Sequence, residues 1–257
     1  MRDMRLICAS NNPAILAANL ARSPLLATLP LSVIEAPSAA LAYAQGMAES
    51  TEDILIFVHH DVYLPPGWDA LLRARIAAVA ARDPDWALIG AYGVDDHARG
   101  WGPVWSSSLG QIVGHVALDP QPVQSFDELL IILRRSAGVT WDTGLPGWHL
   151  YGTDIATEAR ARGLGAYACA LPAIHNDGYK DNLDQGFGDA YHYLQKKWAT
   201  RLPLRSPIIK ISRMGHQLWR ARLHNRRTQK VRQAMTVDTG LDPVALAAAC
   251  GWASIAP

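Results

Sequence analysis

Hydrophobic positions along this chain fall into short unbroken apolar runs separated by longer stretches with helical spacing. Arg5 to Ala9 (RLICA) is such a run, and it ends in the polar turn Ser10-Asn11-Asn12-Pro13. A helix is predicted over Ala14 to Arg22. Leu31 to Ala36 (LSVIEA) reads as a second strand and Ala39 to Glu49 as a second helix, with Ser38 placed to cap its N-terminus. Ile54 to Val58 (ILIFV) is β-branched and aromatic, too short for a helix and apolar at every position, which is the pattern of a central strand buried on both faces. Helix Trp68 to Arg82 and strands Trp86 to Tyr92 and Leu129 to Leu133 follow, then helix Asp154 to Arg162 and a last strand, Ala166 to Leu171. This alternation predicts an α/β fold with a mostly parallel central sheet flanked by helices. No internal repeat or low-complexity segment interrupts it.

Composition removes several classes. The chain has 257 residues, 49% hydrophobic and 18% charged, which suits a large buried core and excludes a disordered protein. No apolar run reaches the roughly 20 residues of a spanning helix. The nearest, Leu25 to Ala44, is broken by Pro30, Glu35 and Pro37. Asn11, Asn12 and Pro13 interrupt the apolar stretch that a secretion signal requires, so a cytoplasmic location is expected. Cys8, Cys169 and Cys250 are far apart and form no CxxC pair; they are expected as reduced thiols rather than disulfides or zinc ligands.

The net charge of +1 conceals a shift. Residues 1–189 hold 12 basic and 21 acidic side chains, whereas residues 190–237 hold 12 basic and none acidic. A boundary is therefore expected there, between a body over 1–189 and a basic helical extension over 190–257. Met214, Leu218, Trp219 and Leu223 give the extension an apolar stripe at helical spacing. A basic amphipathic helix suits an anionic membrane surface, which would make the protein peripheral to the inner face of the cell membrane. Packing of the helix against the acidic body is the alternative. No nucleic-acid motif accompanies the charge, and no nucleic-acid partner is expected.

In an open α/β sheet, ligands sit at the carboxyl ends of the strands. The segments emerging there are Ser10-Asn11-Asn12, Glu35-Ala36-Pro37-Ser38 and His59-His60-Asp61. Two imidazoles and a carboxylate directly after the most apolar strand cost desolvation unless something pairs with them. They suit a divalent cation, or else they cap a helix and satisfy the core. GxGxxG, the P-loop and the GxSxG elbow are all absent. A nucleotide bound here would have its diphosphate neutralised by a metal and a few side chains. Asp154, in the cluster Trp148 to Asp154, is a candidate functional carboxylate or a helix cap. His175, after the last strand, is a candidate ligand or a surface residue. Trp101, Trp105, Trp141 and Trp148 lie in glycine- and proline-rich loops, suited to packing or to stacking on a sugar ring.

Four stretches, APSAALAYAQGMAES, DILIFVHHDVYLPPGW, ALIGAYG and VTWDTGLPGWHLYGTDIATEARARGLGAYACALPAIHNDG, together resemble the family 2-like glycosyltransferases of the GT-A fold. The match is to the subgroup with His-x-Asp in place of Asp-x-Asp, and it extends over about residues 4–180. The resemblance implies a Rossmann-like GT-A domain. It implies that Asp61 and His175 hold Mn2+ or Mg2+ against a nucleotide-diphosphate sugar, with His59 near the ribose or metal. Ser10, Glu35 and Ser38 would surround the nucleotide, Asp154 would be the catalytic base, and Trp101, Trp148 and His149 would face the acceptor. The implied reaction inverts the anomeric centre and passes the sugar to a glycan or lipid-linked hydroxyl, as in bacterial surface polysaccharide synthesis. An imidazole at 59 and Ala44, where the family often has asparagine, depart from the pattern. A non-catalytic glycan- or anionic-surface-binding protein on the same fold is the alternative function.

Overall fold

In the computed structural model, which describes residues 3–179 and 183–256, seven strands form the central sheet. They are β1 (Met4–Ala9), β2 (Leu31–Ile34), β3 (Ile54–His59), β4 (Trp86–Gly90), β5 (Gln121–Pro122), β6 (Leu130–Arg134) and β7 (Gly165–Ala168). Their order across the sheet is β5-β7-β4-β6-β3-β1-β2. β1 is parallel to β2 and β3, and β7 is parallel to β4, while β6 runs antiparallel between β3 and β4 and β5 antiparallel at the edge. Five strands therefore share one direction, and the α/β expectation holds.

The helices are α1 (Pro13–Ala18), α2 (Ala39–Ala48), α3 (Trp68–Arg82), α4 (Tyr151–Ala161), α5 (Gln185–Lys197), α6 (His216–Met235) and α7 (Pro243–Ala249). One face of the sheet, carrying Ile7, Leu55 and Phe57, packs against α2, α4 and α5; the other, carrying Leu6, Ile56 and Val58, packs against α3 through Trp68, Leu71, Leu72 and Val79. The central strands thus bury both faces, as their unbroken apolar pattern requires. α2 lies so close to β1 that a Cβ on Gly46 would stand 2.5 Å from Ile7 Cγ2.

Three segments differ from the sequence reading. The first helix stops at Ala18, where the Asn19 amide bonds back to the Ile15 carbonyl, and Leu20–Arg22 continues as a separate 3-10 turn. The expected last strand ends at Ala168. Beyond Pro172 the chain enters a second sheet of four short strands, in the order Val62–Tyr63, Ala173–His175, Val104–Ser106 and Gln111–Val113. Third, α5 runs unbroken through residues 189 and 190, and its Phe187, Tyr191 and Leu194 join the same core as Tyr43 and Tyr151. The charge shift near 190 therefore coincides with no break in the fold.

α6 buries one residue, Leu218. After it the chain returns to the body: Val237 donates its amide to the Ser107 carbonyl, the Asn176 amide donates to the Thr239 carbonyl, and Ala247 of α7 packs with Tyr63 and Ile174.

Candidate active site

β3 delivers His59 at its carboxyl end, where the His59 amide donates to the Leu129 carbonyl at 3.0 Å. The chain turns through His60 and Asp61 into Val62–Tyr63, whose antiparallel partner is the strand carrying His175, in register His175 with Val62. The second sheet, which sequence reasoning did not foresee, is what brings His175 to Asp61. Asp61 Oδ1 lies 3.5 Å from His175 Nε2 and 3.8 Å from His59 Nδ1. One ligand atom from each of His59, Asp61 and His175 falls within 4.8 Å of the others.

Asp61 Oδ1 is buried and has no hydrogen-bond donor among the described residues. An orphaned carboxylate oxygen between two imidazoles costs free energy that a cation would recover. Burial works against the Asp61 anion, but His175, His59 and His60 outweigh it and hold the carboxyl well below the usual range. Burial likewise opposes the His175 cation, yet Asp61 and Asp177 raise its pKa to about 10. A metal would replace that proton. The residues fit a divalent ion, and a mixed imidazole and carboxylate set suits Mn2+ better than Mg2+, which prefers oxygen ligands.

Around this cluster, Ser10 is buried and its Oγ lies 2.8 Å from His60 Nδ1, so it orients the second imidazole of the turn. Ser38 caps α2, accepting from the Leu41 amide at 3.3 Å, as its position predicted. Glu35 is exposed at the end of β2. His59 Nε2 meets the Tyr151 hydroxyl at 2.6 Å, and that hydroxyl also reaches the Glu128 carbonyl at 3.2 Å. Tyr151 stands in a buried aromatic group with Tyr43 and Trp141, which fixes its ring and, through it, the imidazole. The buried thiols of Cys8 and Cys169 are pushed up to about 12, as inert thiols rather than ligands.

Asp154 is not the cap of its helix. It lies in the first turn of α4, but the cap residue is Leu150 and no side chain caps that helix. Its carboxylate is 3% exposed and turned inward, with Lys197 Nζ 2.8 Å from each oxygen and Trp198 Nε1 donating at 2.7 Å. Lys197 also pairs with Asp142 at 2.7 Å. Burial raises the Asp154 pKa against the opposing effect of Lys197.

Two neighbouring carboxylates went unnoticed in the sequence. Pairing of β6 with β3, in register Leu130 with Val58, sets Asp127 and Glu128 beside the His60-Asp61 turn. The backbone amides of Leu150 and Gly152 at the start of α4 favour the Glu128 anion. A Cβ on Gly152 would lie 3.3 Å from Glu128 Cγ and 2.6 Å from the Phe126 carbonyl, so glycine permits this approach. Burial, helped by Asp127, pushes the Glu128 pKa up to about 8, and burial raises Asp127 as well. A group with a raised folded pKa contributes stability that is complete below its unfolded pKa and lost as pH rises through the folded value. Glu128→Gln is therefore expected to melt higher than the wild type above pH 8 and to lose that advantage below about pH 4.5, the unfolded range. Melting curves across that range check it; a pH-independent difference would contradict the burial of this carboxylate.

The three residues expected at the acceptor side occupy two places. Trp148 is 39% exposed on the loop before α4, and Gly147 of that loop accepts the Ala39 amide. His149 Nε2 is 3.7 Å from Asp184 Oδ1 and its ring packs on Phe187. Trp101 is half-buried on the short strand Gly100–Trp101, where its Nε1 donates to Asp95 at 3.0 Å and Arg99 covers its ring.

Met214, just before α6, and Trp219 and Val231 on it are exposed at 71%, 65% and 62%. Arg213, Arg220, Arg226, Arg227 and Lys230 are exposed and take part in none of the ion pairs among the described residues. No helix among those residues is long and apolar enough to cross a membrane.

No family model matches the chain. A curated relative, "ATP synthase subunits region ORF 6" of Fuscovulum blasticum, is 32% identical over 134 residues, which is 47% of this chain; the chain spans about half the length of that relative. Similar solved structures include the mannosyltransferase PcManGT of Pyrobaculum calidifontis in complex with GDP-Man and Mn2+, at TM-score 0.45 and 14% identity over 98% of this chain and 76% of that one. TarS of S. aureus is similar at TM-score 0.39 and 10% identity over 65% of this chain and 60% of that one. A197 from STIV gives TM-score 0.39 and 12% identity over 66% and 83%. At these levels the functional assignment is left to the residues of the site.

Proposed function

We propose that the chain is a metal-dependent glycosyltransferase of the GT-A type that moves a sugar, with inversion, from a nucleotide-diphosphate donor to a hydroxyl acceptor. The observation that carries this reading is the orphaned Asp61 oxygen, set between two imidazoles at the carboxyl end of a central strand. The resemblance in sequence puts the metal motif at the same residues.

His59, Asp61 and His175 would hold the cation, which supplies positive charge against the diphosphate as it leaves. Ser10 and Tyr151 keep the imidazoles of His60 and His59 in place. Glu35, exposed at the next strand end, offers a carboxylate to the ribose hydroxyls. One carboxylate and two imidazoles form a weak site on their own, so metal and diphosphate bind cooperatively. The test is release of nucleoside diphosphate from UDP-, GDP- and dTDP-sugars, with Mn2+ and with EDTA, and the product anomer read by NMR. Mn2+-dependent release with inversion is expected; release unaffected by EDTA would overturn the metal assignment.

The acceptor is proposed to be lipid-linked, with α6 against an anionic membrane. At about 100° per residue, Arg220, Arg227 and Lys230 fall on the side of α6 away from buried Leu218, with exposed Trp219 and Arg226 on its flanks. The protein is expected to sediment with phosphatidylglycerol vesicles at low salt and not with phosphatidylcholine vesicles. Arg226→Glu with Arg227→Glu removes that binding, at about 1 kcal/mol per lost cation. Equal binding to both vesicle types would contradict it.

A further inference from the structure

The carboxylates near the metal residues are not equally free to act. Asp61 is enclosed by imidazoles, and Asp154 is bound on both oxygens by Lys197 and Trp198. Glu128 takes part in none of the ion pairs among the described residues and is half-buried rather than sealed. We propose that Glu128 is the general base of the transfer, in the place that the sequence suggested for Asp154; the proposal rests on the transferase reading above.

Three features of its setting support the role. The β6–β3 pairing fixes Glu128 beside the turn that bears Asp61, and one side chain, Tyr151, bridges the Glu128 carbonyl and the His59 ring. The Glu128 side chain lies against Gly152 at the start of α4, and its carboxylate keeps acceptor capacity, since a carboxylate has about four lone-pair sites. Burial without a cationic partner keeps it basic, so that it takes up a proton near neutral pH rather than resting as an inert anion.

In the step assigned to it, the acceptor oxygen forms its bond to the anomeric carbon while its proton passes to a Glu128 oxygen. The bond from that carbon to the β-phosphate oxygen breaks, and its electron pair leaves with the nucleoside diphosphate. Neutral Glu128 then returns the proton to solvent.

The test uses the full chain with Mn2+ and a donor that the wild type turns over. Glu128→Gln keeps the shape of the side chain and one acceptor oxygen, so the fold and the nucleotide site are retained; a melt with nucleoside diphosphate and Mn2+ verifies this. kcat is expected to fall about 10²–10⁴-fold with donor KM nearly unchanged. Glu128→Asp restores part of the rate, as does formate added to Glu128→Ala. Asp154→Asn retains turnover wherever it remains folded. A Glu128→Gln enzyme with wild-type kcat overturns the proposal, and so does one that raises donor KM alone, which would make Glu128 a sugar-hydroxyl anchor. A wild type that releases no nucleoside diphosphate from any donor removes the transferase reading and this one with it. An active wild type beside an equally active Glu128→Gln removes this one alone.

Discussion

Replacing Asp154 by alanine is expected to lower the unfolding free energy by about 3 kcal/mol, at the lower end of the range for breaking a buried ion pair. The change leaves Trp198 Nε1 without its acceptor in the core and strips Lys197 Nζ of one carboxylate, though Asp142 remains at 2.7 Å. The retained partner is why the loss stays at the lower end. Denaturant unfolding at pH 7 measures it. In the double variant with Lys197→Ala the loss is less than the sum of the single changes, because the two side chains share one interaction. A loss under about 0.5 kcal/mol, the usual scale of a surface substitution, would contradict the structural role and return Asp154 to consideration as a cleft residue.

Asp61→Asn is expected to reduce metal-dependent turnover at least about a thousandfold, since charge neutralisation by the cation is worth several kcal/mol. The substitution keeps the shape and removes the only carboxylate from the three-residue ligand set. Mn2+ affinity in the presence of nucleoside diphosphate should fall in parallel, measured by titration calorimetry. His60→Ala is the control: His60 bonds Ser10 and is not among the three ligands, so it should retain metal binding. Unchanged turnover in Asp61→Asn would remove the metal site from the reaction.

Long uniform patterns carried what was legible in the sequence. β3 was marked by five apolar residues in a row, and the polar triplet after it marked the cleft. The second sheet was not legible, because strands such as Val62–Tyr63 and Ala173–His175 are too short to show a period. The same reasoning that singled out His59-His60-Asp61 applies to Asp127-Glu128, two acids directly before the apolar run LLIIL, and would have found them. The inward turn of Asp154 depends on Lys197 and Trp198, which lie in the segment that its charge set apart as an extension. Counting charge there hid the apolar side of α5, where Phe187, Tyr191 and Leu194 join the core. Composition reports what a segment carries, not which side of a helix carries it.

The central claim is a cation and a nucleoside diphosphate bound together at Asp61, and a thermal-shift panel of UDP, GDP and dTDP, each with and without Mn2+, tests it most directly. One diphosphate with Mn2+ is expected to raise the melting temperature, with about 2.7 kcal/mol of stabilisation at 100 times its dissociation constant. Neither component alone should match it, and Asp61→Ala should abolish it. No shift with any nucleotide, or a shift that needs neither Mn2+ nor Asp61, would contradict the claim.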